Sequence, residues 1–165
     1  MDHDHGSSHG NSREASLNRT ALMATVHCLT GCAIGEVLGM VIGTALGWTN
    51  WPTVVLAVVL AFVFGYAMTV WPLRRAGMAW ETALGLAFAS DTLSISIMEL
   101  VDNAIVLVIP GAMEAGLADL LFWGSLAASL ILAGAAAFPA NRWLIAQGKG
   151  HALVHSRQVS APSGR

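Results

Sequence analysis

The stretch that decides the fold is HCLTGCAIGEVLGMVIGTALG, residues 27–47. It lies in the first long apolar segment of the chain. Its first ten residues nevertheless include an imidazole, two thiols and a carboxylate, at His27, Cys28, Cys32 and Glu36. Ionisable groups inside a bilayer are costly and usually mark a pathway or a ligand site. The stretch therefore predicts a membrane helix and provides the first indication of function.

The composition of the chain is typical of an integral membrane protein. Of its 165 residues, 55% are hydrophobic and only 11% are charged, and the mean hydropathy is +0.63. Soluble domains carry about 25% charged residues. We therefore expect an all-α, polytopic membrane helix bundle. No secretory signal peptide is expected, because the first apolar segment is too long for a signal core.

Short interruptions divide the apolar sequence into four predicted transmembrane helices. Residues 1–19 are expected to form a flexible tail containing His and Asp, and residues 147–165 a flexible basic tail. Between them lies a four-helix transmembrane domain, residues 20–146. Its helices are predicted at about 21–48, 53–71, 78–109 and 117–144.

The positions of the basic residues predict the orientation of the bundle. All eight Lys and Arg residues lie before the first helix, between the second and third helices, or from the end of the fourth helix onward. The other two connections contain none. The positive-inside rule therefore predicts that both termini are cytoplasmic.

A stripe of small residues runs along the first helix. We call it the glycine ridge, and its members recur at every fourth position: Gly31, Gly35, Gly39, Gly43 and Gly47. Such a stripe lets another helix approach closely, either from the same chain or from a second protomer. We expect helix packing at these glycines and a homo-oligomer through the ridge. Membrane lipid is the other expected partner, and no nucleic acid is expected.

Polar side chains form a matching pair of stripes on the first and third helices. On the first helix, Cys28, Cys32 and Glu36 are four residues apart and therefore share a face. The stripe on the third helix falls within about 80° of arc, and it comprises Asp91, Ser94, Met98 and Asp102. If the two stripes face each other, they form a row of ligands across the membrane.

The depths of two acids suggest a shared polar centre. Glu36 and Asp91 each lie roughly 20 Å from the predicted start of their helix, at 1.5 Å per residue. We expect them to bind a cation or share a proton, because isolated acids in a bilayer are so costly. The predicted pathway or proton-coupling residues are Glu36, Asp91, Ser94 and Asp102. We expect Glu99 and Glu114 to be interfacial and solvated.

The chemistry of these groups suits a transition-metal ion, with copper or zinc as the expected cofactor or cargo. Thiolate, imidazole and thioether are ligands for Cu(I) and Zn(II), and carboxylates suit harder divalent ions. The candidate metal ligands are His27, Cys28, Cys32, Glu36, Asp91 and Met98. The alternatives are that the thiols serve packing or redox chemistry and that Met98 only fills space.

Two motifs in these helices resemble those of a known family. They are HCLTGCAIGE at residues 27–36 and ASDTLSIS at residues 89–96. They resemble an uncharacterised prokaryotic family of four-helix membrane proteins, domain of unknown function 4396, over about residues 20–146. The resemblance implies a multi-pass protein of the prokaryotic cytoplasmic (inner) membrane with an association with metal handling. It implies no established activity.

The residues and the resemblance leave three classes of function to consider. The leading prediction is an integral membrane protein that binds and translocates copper or zinc. The alternative is a non-transporting subunit or assembly factor of a larger metalloprotein, with Cys28 and Cys32 for metal delivery or thiol chemistry. An enzyme is not expected, because the sequence contains no nucleophile elbow, HExxH helix or phosphate-binding loop.

Overall fold

The computed structural model describes residues 6–147, with side chains from Arg13 onward, as a bundle of four helices. In chain order these are α1 (Gly6–Ala45), α2 (Asn50–Arg75), α3 (Trp80–Val108) and α4 (Leu120–Ala146). Each helix is long and apolar enough to cross a membrane, and no strand occurs within residues 6–147. The predicted all-α, four-span architecture is therefore confirmed.

The helix boundaries lie within four residues of those predicted, except at the start of α1. This helix begins at Gly6 rather than near residue 21, so part of the expected N-terminal tail is helical. Contacts with α4 support the extension: Arg142 donates a 2.7 Å hydrogen bond to Asn18 and pairs with Glu14 at 3.6 Å. Residues 1–5 and most of the predicted C-terminal tail lie outside the described residues.

Two glycines end the first two helices in the same way. Gly47 has φ +66° and Gly77 has φ +88°, which is the left-handed region that disfavours side chains. After α1, the Trp48 and Gly47 amides bond back to the Gly43 and Thr44 carbonyls at 2.9 and 3.1 Å. This is the Schellman arrangement, and the same pattern closes α2. Gly47 therefore terminates the helix and does not belong to the packing face of the glycine ridge.

The other four glycines of the ridge pack against α2 of the same chain. A Cβ atom on Gly31 would lie 2.7 Å from the Gly65 Cα, and one on Gly39 would lie 2.5 Å from the Ala57 Cα. The facing stripe of α2 also has a four-residue period, and it comprises Thr53, Ala57, Ala61 and Gly65. The two helices are antiparallel and their backbones are in close contact. The second helix is therefore a packing partner of α1.

This packing changes the basis for the predicted homo-oligomer. The ridge is occupied by α2, so it does not supply a free surface for a second protomer. A homo-oligomer stays a prediction, and any such contact must use another face. The outward faces of all four helices carry large apolar side chains, as expected for a surface in contact with lipid.

Candidate functional site

A row of buried polar side chains runs between α1 and α3. We call it the α1–α3 column, and we define it by four residues of each helix: His27, Cys28, Cys32 and Glu36 on α1, and Asp91, Ser94, Glu99 and Asp102 on α3. All of these are buried except the half-buried His27. The expectation that the two polar stripes face each other therefore agrees with the structure.

At one end of the column, His27 and Asp91 are linked through α2. The His27 Nε2 atom lies 3.3 Å from the Thr69 hydroxyl, which also faces the Asp91 carboxyl group. Ser90 donates a 2.6 Å hydrogen bond to the Asp91 Oδ1 atom. This end of the bundle is closed further by a buried 2.9 Å hydrogen bond from Asn141 to Thr25. Polar contacts with α2 and α4 thus hold α1 in place at this level.

The two thiols occupy the middle of the column. Cys28 lies beside Ser94, and Cys32 lies beside the Glu99 carboxyl group. Both cysteines are free and buried, and they pack in one core cluster with Met98. Cys32 stands between the two ridge glycines that pack against the middle of α2. The thiols therefore lie deep in the bundle.

The far end of the column is a pair of carboxyl groups. The Glu36 side chain faces Asp102, and the Asp102 carboxyl group also contacts the Ser129 hydroxyl of α4. Glu99 lies close to the same pair. Three acids from two helices therefore converge within one or two helical turns.

Several oxygen atoms of these acids have no hydrogen-bond partner within residues 13–147. They include both carboxylate oxygens of Glu36, both of Glu99 and one each of Asp91 and Asp102. Glu36 is only 8% exposed, and Glu99 and Asp102 are each 6% exposed. Buried polar groups in native proteins are almost always hydrogen-bonded, so each exception needs an explanation. A bound cation or a shared proton would satisfy these oxygens.

The predicted pairing of Glu36 with Asp91 is wrong. Glu36 stands level with Asp102. Asp102 lies eleven residues beyond Asp91 on α3, which is about 16 Å along the helix axis at 1.5 Å per residue. Asp91 is instead level with Cys28, near the opposite end of the column. The error arose because α1 begins well before residue 21, so Glu36 lies further along its helix than its predicted depth implied.

Sequence reasoning also missed several members of the site. Glu99 was expected to be solvated, but it is buried against Cys32, whereas Glu114 is exposed as expected. The small polar residues Thr69 and Ser129 are also absent from the predicted set of site residues. Both belong to stripes of small residues with a four-residue period on α2 and α4. That four-residue period is the sequence feature that indicates their burial, because it marks the face of each helix that packs inward.

A cavity of about 210 Å³ opens beyond the carboxyl pair, at the end of the bundle that carries the α1–α2 and α3–α4 connections. We call it the end cavity. Glu36 and Asp102 line it, together with Glu114 from the segment between α3 and α4. Met40, Asn103 and Phe122 also contribute to its walls. The column therefore continues into a space large enough for solvent or a ligand.

The described side chains do not form a preassembled metal site. Among residues 13–147, no group of three or more His, Cys, Asp or Glu side chains is arranged to hold a metal ion. The donors instead face one another mainly as pairs along the column, as Cys32 with Glu99 and Glu36 with Asp102 illustrate. Each level of the column thus offers about two ligand groups.

Comparison with known proteins identifies the family. The family model described as "Domain of unknown function (DUF4396)" matches residues 17–150, which is most of the chain. The chain therefore belongs to this family. No curated protein and no solved structure matches the chain.

Proposed function

We propose that this chain, whose family has no assigned activity, binds a transition-metal cation and translocates it across the membrane along the α1–α3 column. The observation that carries the proposal is the row of buried acids, in which both carboxylate oxygens of Glu36 and Glu99 and one each of Asp91 and Asp102 have no hydrogen-bond partner in the described part of the chain. Unsatisfied acids in a membrane bundle are expensive, and they usually mark ion or proton pathways.

The donor types along the column support copper or zinc as the cation. Thiolates bind Cu(I) and Zn(II) well, and carboxylates also bind Zn(II). Cys28 and Cys32 are one helical turn apart on α1, and Glu99 faces the second of them from α3. A cation in the middle of the column would therefore meet sulfur and oxygen donors together.

The pairwise arrangement of donors favours translocation of the cation over its tight storage. Conduction requires sites that are weak enough to release the ion to the next site, and a closed set of four ligands would trap it. Two ligand groups per level, repeated along α1 and α3, provide such a series. Binding at each level is then completed by water or by the next pair.

The Glu36–Asp102 pair supports coupling to protons. Two carboxyl groups in contact can hold a proton between their oxygens or can hold a cation there, but not both at full occupancy. Entry of a divalent cation at this pair would displace the proton. The exchange would limit the net charge carried into the apolar interior.

Flux into liposomes tests the proposal. Purified protein is reconstituted with an entrapped fluorescent metal indicator, and Zn²⁺ or Cu(I) is added outside. We expect Cys32→Ser and Glu99→Gln each to lower the initial rate by about tenfold or more, because hydroxyl and amide groups are poorer ligands. The matched control is Glu81→Gln, which changes an exposed acid in the first turn of α3, the helix that also carries Glu99.

The outcomes separate the two predicted functions. Equal rates for the wild type, Cys32→Ser and empty liposomes would refute translocation by this column. Metal that co-purifies with the wild type and is lost in Cys32→Ser, without any flux, would instead favour a non-transporting subunit that delivers metal.

A further inference from the structure

We propose that the end cavity is a loading site that receives a hydrated divalent cation before the cation enters the α1–α3 column. This inference rests on the proposed function and adds a second site, distinct from the thiols. It also specifies the end of the bundle at which the cation is exchanged with solvent. Three observations carry it: the charge of the walls, the state of the acids at the floor and the size of the space.

The walls of the end cavity carry negative charge without compensation. Three acids line it, Glu36 and Asp102 at the floor and Glu114 at the rim, and none of the described residues that line it is Lys, Arg or His. The arginines of the described bundle lie in the first part of α1, around the α2–α3 connection and in the last turns of α4. A cavity lined by one sign of charge concentrates ions of the opposite sign.

The acids at the floor of the end cavity are buried. Glu36 is 8% exposed and Asp102 is 6% exposed, and both line the cavity. Both oxygens of Glu36 and the Oδ1 oxygen of Asp102 have no hydrogen-bond partner within residues 13–147. These oxygens have given up water without gaining donors from the protein. A cation in the end cavity supplies what they lack.

The volume of the end cavity suits a cation that keeps most of its water. The space of about 210 Å³ corresponds to roughly seven water molecules at about 30 Å³ each. A hexahydrated divalent ion needs a similar volume, whereas a bare ion needs far less. Asn50, Asn103 and Thr44 line the walls and can hydrogen-bond to coordinated water. The cation would lose this water on passing the Glu36–Asp102 pair.

At the opposite end of the column, contacts between helices surround the half-buried His27. There the buried Asn141–Thr25 hydrogen bond and the His27–Thr69 contact join neighbouring helices. The end cavity, in contrast, provides space for solvent or a ligand beside Glu36 and Asp102. The cation is exchanged with solvent at the end that carries the α1–α2 and α3–α4 connections.

Binding of Mn²⁺ to the purified protein in detergent tests the loading site. Mn²⁺ is a hard divalent ion that favours carboxylate and water over thiolate, so it reports on the end cavity and not on the thiols. The electron paramagnetic resonance signal of free Mn²⁺ measures the affinity, and the relaxation rate of water protons shows whether the bound ion retains water. We expect one Mn²⁺ per chain, with water still coordinated.

Substitutions around the cavity decide the location of the Mn²⁺. Glu114→Gln is expected to weaken binding by about tenfold, since it removes one of three charges that face the ion. Glu36→Gln is expected to abolish it. The matched control is Asp119→Asn, because Asp119 is exposed nearby but accepts a hydrogen bond from the Gly116 amide instead of lining the cavity. It should leave the affinity unchanged.

The outcomes distinguish failure of the loading site from failure of the proposed function. The loading site is overturned, whatever the metal flux into liposomes, if the wild type binds no Mn²⁺. It is also overturned if the Asp119→Asn control weakens Mn²⁺ binding as much as Glu114→Gln does. The double variant Cys28→Ser/Cys32→Ser should keep the Mn²⁺ site while losing copper or zinc flux. Retained flux in that variant refutes the proposed function and leaves the Mn²⁺ site in place. If Glu36→Gln fails to fold, Glu114→Gln still decides, since Glu114 is exposed at the rim.

Discussion

The contact between α1 and α2 predicts a large effect for Gly39→Ala. An added Cβ at this position would lie 2.5 Å from the Ala57 Cα and 2.7 Å from the Ala57 Cβ. Non-bonded carbon atoms prefer about 3.5–4.0 Å, so the two helices must separate locally by about 1 Å. The atoms in the way belong to backbone and to a rigid methyl group, so no rotamer change can relieve the clash.

The expected cost follows from two opposing effects. Overpacking of this kind costs about 1–3 kcal/mol, and alanine recovers up to about 1 kcal/mol over glycine in a helix. We therefore expect Gly39→Ala to lower the free energy of unfolding by about 1–2 kcal/mol. The matched control is Gly85→Ala on α3, where no atom lies within 4 Å of the added Cβ. It should be neutral or stabilising by up to about 1 kcal/mol.

Unfolding in mixed micelles, followed by circular dichroism as the fraction of denaturing detergent increases, measures the difference. Gly35→Ala should cost more than Gly39→Ala, because the Ala61 backbone lies closest to its added Cβ. Gly43→Ala should also be destabilising, because its obstacles are the Cβ, Oγ1 and Cγ2 atoms of Thr53, and rotation about χ1 does not move the Cβ atom away. If Gly39→Ala is as stable as the Gly85→Ala control, the close α1–α2 packing is incorrect.

Four further substitutions test other contacts by the same unfolding assay. Thr25→Val and Asn141→Leu should each destabilise the protein by about 1–2 kcal/mol, because both side chains are buried and share a 2.9 Å hydrogen bond. A double-mutant cycle should give a coupling energy near 1 kcal/mol. A coupling energy of zero would exclude the bond. Arg142→Gln should cost under about 1 kcal/mol, since its ion pair to α1 is exposed, and a larger loss would mean that the pair is shielded. Tyr66→Phe should also cost under about 1 kcal/mol, since the Thr92 hydroxyl keeps its bond to a backbone carbonyl; a loss above 2 kcal/mol would contradict this.

The membrane architecture could be predicted from the sequence because its signals are local. Each apolar run is long enough to span a bilayer, and each interruption contains residues that end a helix. Gly77 illustrates the point, since its left-handed conformation closes α2 within one turn of the predicted boundary. The four-residue period of Cys28, Cys32 and Glu36 likewise identified one buried face of α1, because side-chain direction repeats with the helix.

The partners of these residues required the tertiary structure. The period of a helix shows which side chains share a face, but it contains no information on how far a second helix is shifted along it. That shift depends on where each helix begins and on the close α1–α2 contact. The pairing of Glu36 with Asp102, the burial of Glu99 and the occupation of the glycine ridge by α2 are therefore tertiary facts. Sequence alone determined which residues are costly in a membrane, and packing decided which of them meet.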